Sequence, residues 1–385
     1  MLDFLEEGEE RKVEYIELIY DLIFVHTISR CGALLRLEEG MPDPSVYVTF
    51  LLFSVAILEI WYYSTLFINR FPQHKVQRDV CIFINMYLLY YVAGGIREDW
   101  RDYYYQIHTA WALILLHLAV QYWFALHHAP HREQYLRRDF RMLLLEALVV
   151  LLSMPVFART GLALSPLALL VGVGAGLTAK KTSGRSVDFL HLTERVMLYV
   201  VFSFGEMIVE LAGFFTDGIN LLGICHSVLA LAFAAGLFLN YGYVYDHIID
   251  RNRQTSGDGY LFLHLFLILS LSYLTQVLEM LRNPAVRDAF KILSIAVWLF
   301  TYLLFLSLLE RYARERACAN YYFRLCMISL AYLLLLAATR RVPVANFAAS
   351  VLYIYAVHAS LRLFRKRKLA AGAARNAKGG GKDET

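Results

Sequence analysis

Charge is what this sequence has least of. Lys, Arg, Asp and Glu together make up 18% of its 385 residues, against about a quarter in a soluble domain. That shortage argues against a soluble globular protein. The five cysteines, at 31, 81, 225, 318 and 326, are scattered and form no Cys-x-x-Cys pair. They exclude a zinc or disulfide framework and read as small apolar side chains. A nucleophile elbow, a Walker loop and a zincin motif are also missing. Gly172, Gly174 and Gly176 imitate a nucleotide loop, but they sit in an apolar run with no strand before it. They read as a helix-packing face. The first ten residues are acidic and lack both a basic n-region and a small-residue cleavage site, so no cleaved secretory signal is expected. Nor does any segment alternate with period two, which excludes a transmembrane barrel.

Long hydrophobic runs are what the sequence does have. Hydrophobic residues make up 58% of the chain, and the mean hydropathy is +0.48. Stretches of about 20 residues, enough to cross ~30 Å of hydrocarbon as helix, fall near 13–36, 46–69, 79–96, 104–127, 140–158, 162–179, 189–214, 219–246, 259–281, 288–310, 319–340 and 345–364. The expected fold is an all-α, polytopic transmembrane bundle of about twelve helices. Most of the 37 Lys and Arg fall in loops on the side of the N-terminus, which places both termini in the cytoplasm by the positive-inside rule. A plasma-membrane location is expected, with the first helix as an uncleaved signal.

The chain divides into a cytoplasmic segment 1–12, six helices over 13–186, six more over 187–364, and a basic tail 365–385 expected to be disordered. The Arg365–Lys368 cluster reads as a solvated stop signal or as a binder of anionic lipid headgroups. A faint repeat sets Glu17 on Glu194 and Glu14 on His191, as in two parallel six-helix halves. A homo-oligomer would suit such a bundle. Nucleic-acid partners and cofactors are not expected.

The candidate site rests on acids kept inside oily helices. Glu17 and Asp21 are four residues apart and share a helix face, with Glu14 one turn earlier. The run His191, Glu194, Arg195 and Glu206 gives the seventh helix the same character. A carboxylate in hydrocarbon costs a few kcal/mol, roughly, on insertion scales, so it needs a partner or a use. Arg195 is expected to neutralise Glu17 or Asp21, and Gly205 to admit another helix closely. One arginine cannot neutralise every acid here. The others would be protonated, hydrated or cation-bound, and a divalent metal held by His-x-x-Glu and Glu-x-x-x-Asp stays open. The plainer alternative is that the cluster only pins two helices together. Glu14, Glu59, Asp246 and His264 are supporting candidates around these residues.

Several of the same residues resemble a known family. Glu17-Leu-Ile-Tyr-Asp21-Leu-Ile-Phe-Val is similar to the opening signature of the low temperature requirement A (LtrA) family, Glu-Leu-Phe-Phe-Asp-Leu-Val-Phe-Val. Trp61 through Asn69-Arg70-Phe71 resembles that family's second helix, and His191-Leu-Thr-Glu194-Arg195 with Gly205-Glu206 its second signature. Tyr245-Asp246 and Tyr260-Leu-Phe-Leu-His264 follow in order. Helices after 281 match by hydropathy alone. Where the family follows Asn-Arg-Phe with acidic residues, this chain has Pro72-Gln73-His74-Lys75. The resemblance implies a polytopic membrane protein linked by name to growth in the cold, with no substrate attached. The functional expectation is a transporter or channel-like protein for a small solute or ion, with proton coupling in view and no enzymatic activity. Its alternatives are a non-transporting scaffold with a structural acid/base cluster and, further off, a lipid-modifying enzyme.

Overall fold

The structure is a computed structural model that describes residues 12–36, 40–41, 43–71, 74–128, 133–177, 187–215, 221–313 and 319–379. In chain order its helices are α1 (Tyr15–Ala33), α2 (Pro44–Arg70), α3 (Lys75–Gly95), α4 (Tyr104–His128), α5 (Glu133–Thr160) and α6 (Ser165–Leu177). The second half gives α7 (Phe189–Leu211), α8 (Leu221–His247), α9 (Asp258–Arg282), α10 (Asp288–Leu308), α11 (Ala319–Thr339) and α12 (Pro343–Gly379). Among the described residues, extended pairing is confined to two isolated bridges, Gly40 with Val286 and Ile249 with Ala313. The fold is a polytopic helical bundle.

Nine of the described helices are long and apolar enough to cross a membrane. The difference from the twelve expected runs lies in α1, α3 and α6. Within its 19 residues α1 carries Glu17, Asp21 and Arg30. Lys75, Arg78 and Asp79 crowd the start of α3, and α6 is described over only 13 residues. Charge in such a helix is tolerated when it faces other helices. In α1, Glu17 and Asp21 are fully buried while Tyr15, Ile19 and Leu22 are exposed. The polar face therefore points inward and the apolar face outward.

Local chemistry sets several boundaries. Pro44 opens α2, and the Asp43 carboxylate accepts a hydrogen bond from the Ser45 N–H at 2.7 Å, a capped start with proline where no amide is needed. Asp188 caps α7 in the same way, accepting from the His191 N–H at 3.0 Å. Instead of a short fifth span, α5 runs 28 residues and continues through Pro155. The tail expected to be irregular from 365 continues α12 as helix to Gly379, in keeping with its many alanines. The acidic N-terminal segment, Pro72 and Gln73, and the last six residues of the tail lie outside the described residues.

In the bundle, α1 packs on α2, α3, α7 and α9. It runs parallel to α7: Asp21 meets Arg195 and, two turns on, Ser29 meets Glu206. Gly205 does not admit a helix; a Cβ there would meet nothing within 4 Å. Consecutive helical residues point about 100° apart, so a helix that turns Glu206 toward α1 turns Gly205 away. Gly172 on α6 does make the close approach. A Cβ there would overlap the Glu59 carboxyl and lie 2.5 Å from Glu146 Oε1. Lipid tails are as apolar as leucine, so contacts of this kind, with interhelical hydrogen bonds, hold a membrane bundle together.

Candidate functional site

Four side chains from two parallel helices converge at one level of the bundle. Arg195 on α7 donates to Asp21 on α1 through Nε at 3.1 Å and Nη2 at 2.9 Å. Its Nη1 lies 3.7 Å from Glu17 Oε2. Asp21 also accepts from Trp61 Nε1 on α2 at 2.9 Å. Glu17, Asp21, His191 and Arg195 are all buried to within about one per cent. A two-pronged guanidinium–carboxylate pair of this sort is among the strongest polar contacts a protein makes.

His191 extends the cluster. Asn69 at the end of α2 donates from Nδ2 to the Asp188 carbonyl at 2.9 Å and meets His191 Nδ1 at 3.1 Å. That assigns Nδ1 as acceptor and leaves the ring proton on Nε2, which faces Glu17 Oε2 at 3.3 Å. Trp61 packs on Tyr199 with ring centroids 4.6 Å apart, covering the ion pair. Three helices thus close around two acids and one arginine.

Glu206 stands apart from this cluster. Its carboxylate accepts a hydrogen bond from Ser29 Oγ, and both border a cavity of about 20 Å³ shared with Ser203, Ser272, Thr275 and Gln276. Nearer the end of α7, Arg36 bridges Glu210 at 3.4 Å and Glu279 at 3.1 Å. The polar residues of α1, α7 and α9 therefore form a line. It starts at His191 and Glu17, passes Arg195, Tyr199 and Ser203, and ends at Glu206, Glu210 and Arg36.

The remaining candidates lie elsewhere. Glu194 is half-buried and close enough to Tyr245 on α8 to act on it electrostatically. Glu14 pairs with Arg78 on α3, at 2.6 Å from Nη2. That arginine holds the Glu14 carboxyl below the usual carboxylate range. Glu59 faces Glu146 and Gly172, not the Arg195 cluster. Asp246 is exposed near the end of α8. His264 is a satisfied core histidine, with Nδ1 2.9 Å from the Tyr260 carbonyl and Nε2 3.3 Å from Tyr241 Oη. As for the divalent-metal option, the described residues hold no group of three His, Cys, Asp or Glu placed to share an ion.

Several partners were not singled out as site residues from the sequence. Trp61 and Asn69 lie inside the quoted second-helix motif, so their signal was there. Ser29, Gln276, Arg78 and Glu146 carry no local signature; only the helix packing brings them to their acids. A second buried arginine, Arg70, ties α2 to the start of α9, donating to Asp258 at 3.0 Å and to the Ser256 carbonyl at 2.7 Å. A cavity of about 260 Å³ among α8, α10, α11 and α12 is lined mainly by apolar side chains and lies away from these charges.

The comparisons with known proteins follow the same residues. A search of the curated proteins and a search of the solved structures each return no match. The family model described as bacterial low temperature requirement A protein (LtrA) matches residues 12–360. It spans every motif quoted above and continues through the helices after 281, where only hydropathy was legible. A match over nearly the whole chain is decisive, and this multi-pass membrane protein belongs to the LtrA family.

Proposed function

We propose that this protein moves a small cation or a proton across the membrane along the interface of α1, α7 and α9. The observation behind this reading is the line of polar side chains from Glu17 and Asp21 to Glu206 and Arg36. Intramembrane ionisable residues are expensive and characteristically line pathways or relays. At one end Arg195 stands as a fixed internal counter-charge; at the other, Glu206 supplies a carboxylate bonded to a serine hydroxyl. Both termini would face the cytoplasm, with the basic end of α12 against anionic headgroups.

The test is flux in reconstituted vesicles. Wild-type protein should dissipate an imposed gradient of protons or alkali cations, and Glu206→Gln should insert and fold but lose that flux. Equal flux from the variant and the wild type would remove the proposal.

A second reading, a non-transporting scaffold, draws on a specific observation. The Asp21 carboxylate is satisfied by Trp61 and by both prongs of Arg195, as a structural clamp would be. On that reading Glu206→Gln changes no flux, and Asp21→Asn lowers thermal stability.

A further inference from the structure

The cavity beside Glu206 sets a cluster of oxygen-bearing side chains among the apolar side chains of Val25, Ile28 and Ile268. Around about 20 Å³ it gathers one carboxylate, the hydroxyls of Ser29, Ser203, Ser272 and Thr275, and the carboxamide of Gln276. A space of that size holds one water or one single-atom ion. Three helices supply the groups: Ser29 from α1, Ser203 and Glu206 from α7, and the rest from α9.

Three of the four hydroxyl protons are already committed. Ser203 donates to the Tyr199 carbonyl at 3.2 Å, Thr275 to the Leu271 carbonyl at 2.9 Å, and Ser29 to Glu206 itself. Each of these oxygens can then offer the cavity only lone pairs. Gln276 Oε1 is buried with no hydrogen-bond partner, in a residue 3% exposed. Its carboxamide is set against α1 where Gly32 leaves room, since a Cβ there would fall 2.6 Å from Gln276 Cδ. A buried acceptor without a donor is costly, so its presence asks for an occupant that carries a proton to donate or a positive charge.

We propose that this cavity is a binding site for one dehydrated alkali-metal cation. The net charge and the ligand type both favour that class. Oxygen-only ligands suit hard cations, whereas softer metals prefer nitrogen and sulfur. A single carboxylate balances a single positive charge, and among the described residues no basic side chain pairs with Glu206. The inference rests on the reading of this interface as a cation path and names its cargo or coupling ion.

Equilibrium binding tests it without any flux. The purified full-length protein in detergent is unfolded by heat in sodium, potassium or choline chloride at equal ionic strength. Sodium or potassium should raise the melting temperature saturably over choline, as a ligand of the native state must. Glu206→Gln should abolish that rise while melting in choline much as wild type does. Thr275→Val and Ser203→Ala should each raise the half-saturating concentration about tenfold, the loss of one ligand to a charged group. These two variants keep the test alive if Glu206→Gln fails to fold. Equal melting of wild type in all three salts would overturn the site, as would a salt response unchanged in both the Glu206 and Thr275 variants. A bound cation without flux would leave the site standing and sink the transport reading; proton flux without cation binding would do the reverse.

Discussion

The two ends of the α1/α7 interface solve the same problem in opposite ways. At the Asp21 end, two buried carboxylates meet an arginine, an indole and an imidazole, and Asp21 is held by both prongs of Arg195 and by Trp61. At the Glu206 end, a carboxylate meets hydroxyls and an unpartnered amide oxygen around a cavity, with no arginine paired to it among the described residues. The helices, their parallel direction and their residue types are shared; what differs is compensation. Buried charge survives when it is paired. One end is therefore suited to holding the helices together and the other to receiving a positive guest.

The strongest way to break this contrast is to remove the counter-charge. Arg195→Met leaves Asp21 and Glu17 buried with nothing to neutralise them, and the expected loss is about 3–5 kcal/mol of stability, typical of breaking a buried pair. Pairing it with Asp21→Asn should recover part of that loss, since the orphaned charge is then gone. Thermal unfolding in detergent measures both. If Arg195→Met melts like wild type, the clamp interpretation of this end fails.

A third acid region sharpens the comparison from the other side. Glu59 and Glu146 approach each other around Gly172 with no lysine or arginine paired to them among the described residues; Tyr63 donates to Glu146 at 3.3 Å. Two unpaired carboxylates in hydrocarbon cannot both keep their charge. The environment of this pair is therefore unlike either end of α1/α7. Gly172→Ala forces a Cβ into both carboxyls and should cost about 1–3 kcal/mol, the usual penalty for overpacking. Glu59→Gln, which removes a charge and keeps the shape, should cost far less. Equal losses from the two would show that α6 does not press on the acid pair.

How much of this was legible in the sequence follows the same division. Helices were plain because about 20 apolar residues in a row have few other readings. The Asp21–Arg195 pair was legible because oily helices carry few charges, and opposite charges at matching depth have few other partners. Glu206 was visible as an acid, but its neighbours Ser29, Thr275 and Gln276 are ordinary in membrane helices, where such groups commonly bond across to others. Only the parallel packing of α1 and α7 beside α9 assigns them to Glu206. Glu59 read as support for the first cluster because α2 follows α1 in the chain; on α2 it points instead toward α5 and α6. Sequence adjacency gave the helix but not its face. The tail read as irregular from its Ala/Gly content and charge, whereas its alanines are equally at home extending α12.

The smallest expected effect isolates exposure from compensation. Glu14 and Arg78 form a close pair like Asp21 and Arg195, yet the Glu14 side chain is 40% exposed, so water already screens it. Arg78 lowers the Glu14 pKa on folding. The pair's contribution is therefore fully present above the ordinary carboxylate pKa of about 4.3. It fades as pH falls through the lower, folded-state value, because the unfolded chain takes up the proton first. Glu14→Gln should leave the melting temperature near neutral pH almost unchanged and flatten its decline on acidification only slightly. Arg195→Met, by contrast, should be costly at every pH where Asp21 would otherwise be ionised. A Glu14→Gln loss at neutral pH as large as that of Arg195→Met would mean that pairing alone, and not burial, sets the worth of these acids, and the contrast between the two ends of α1/α7 would lose its physical basis.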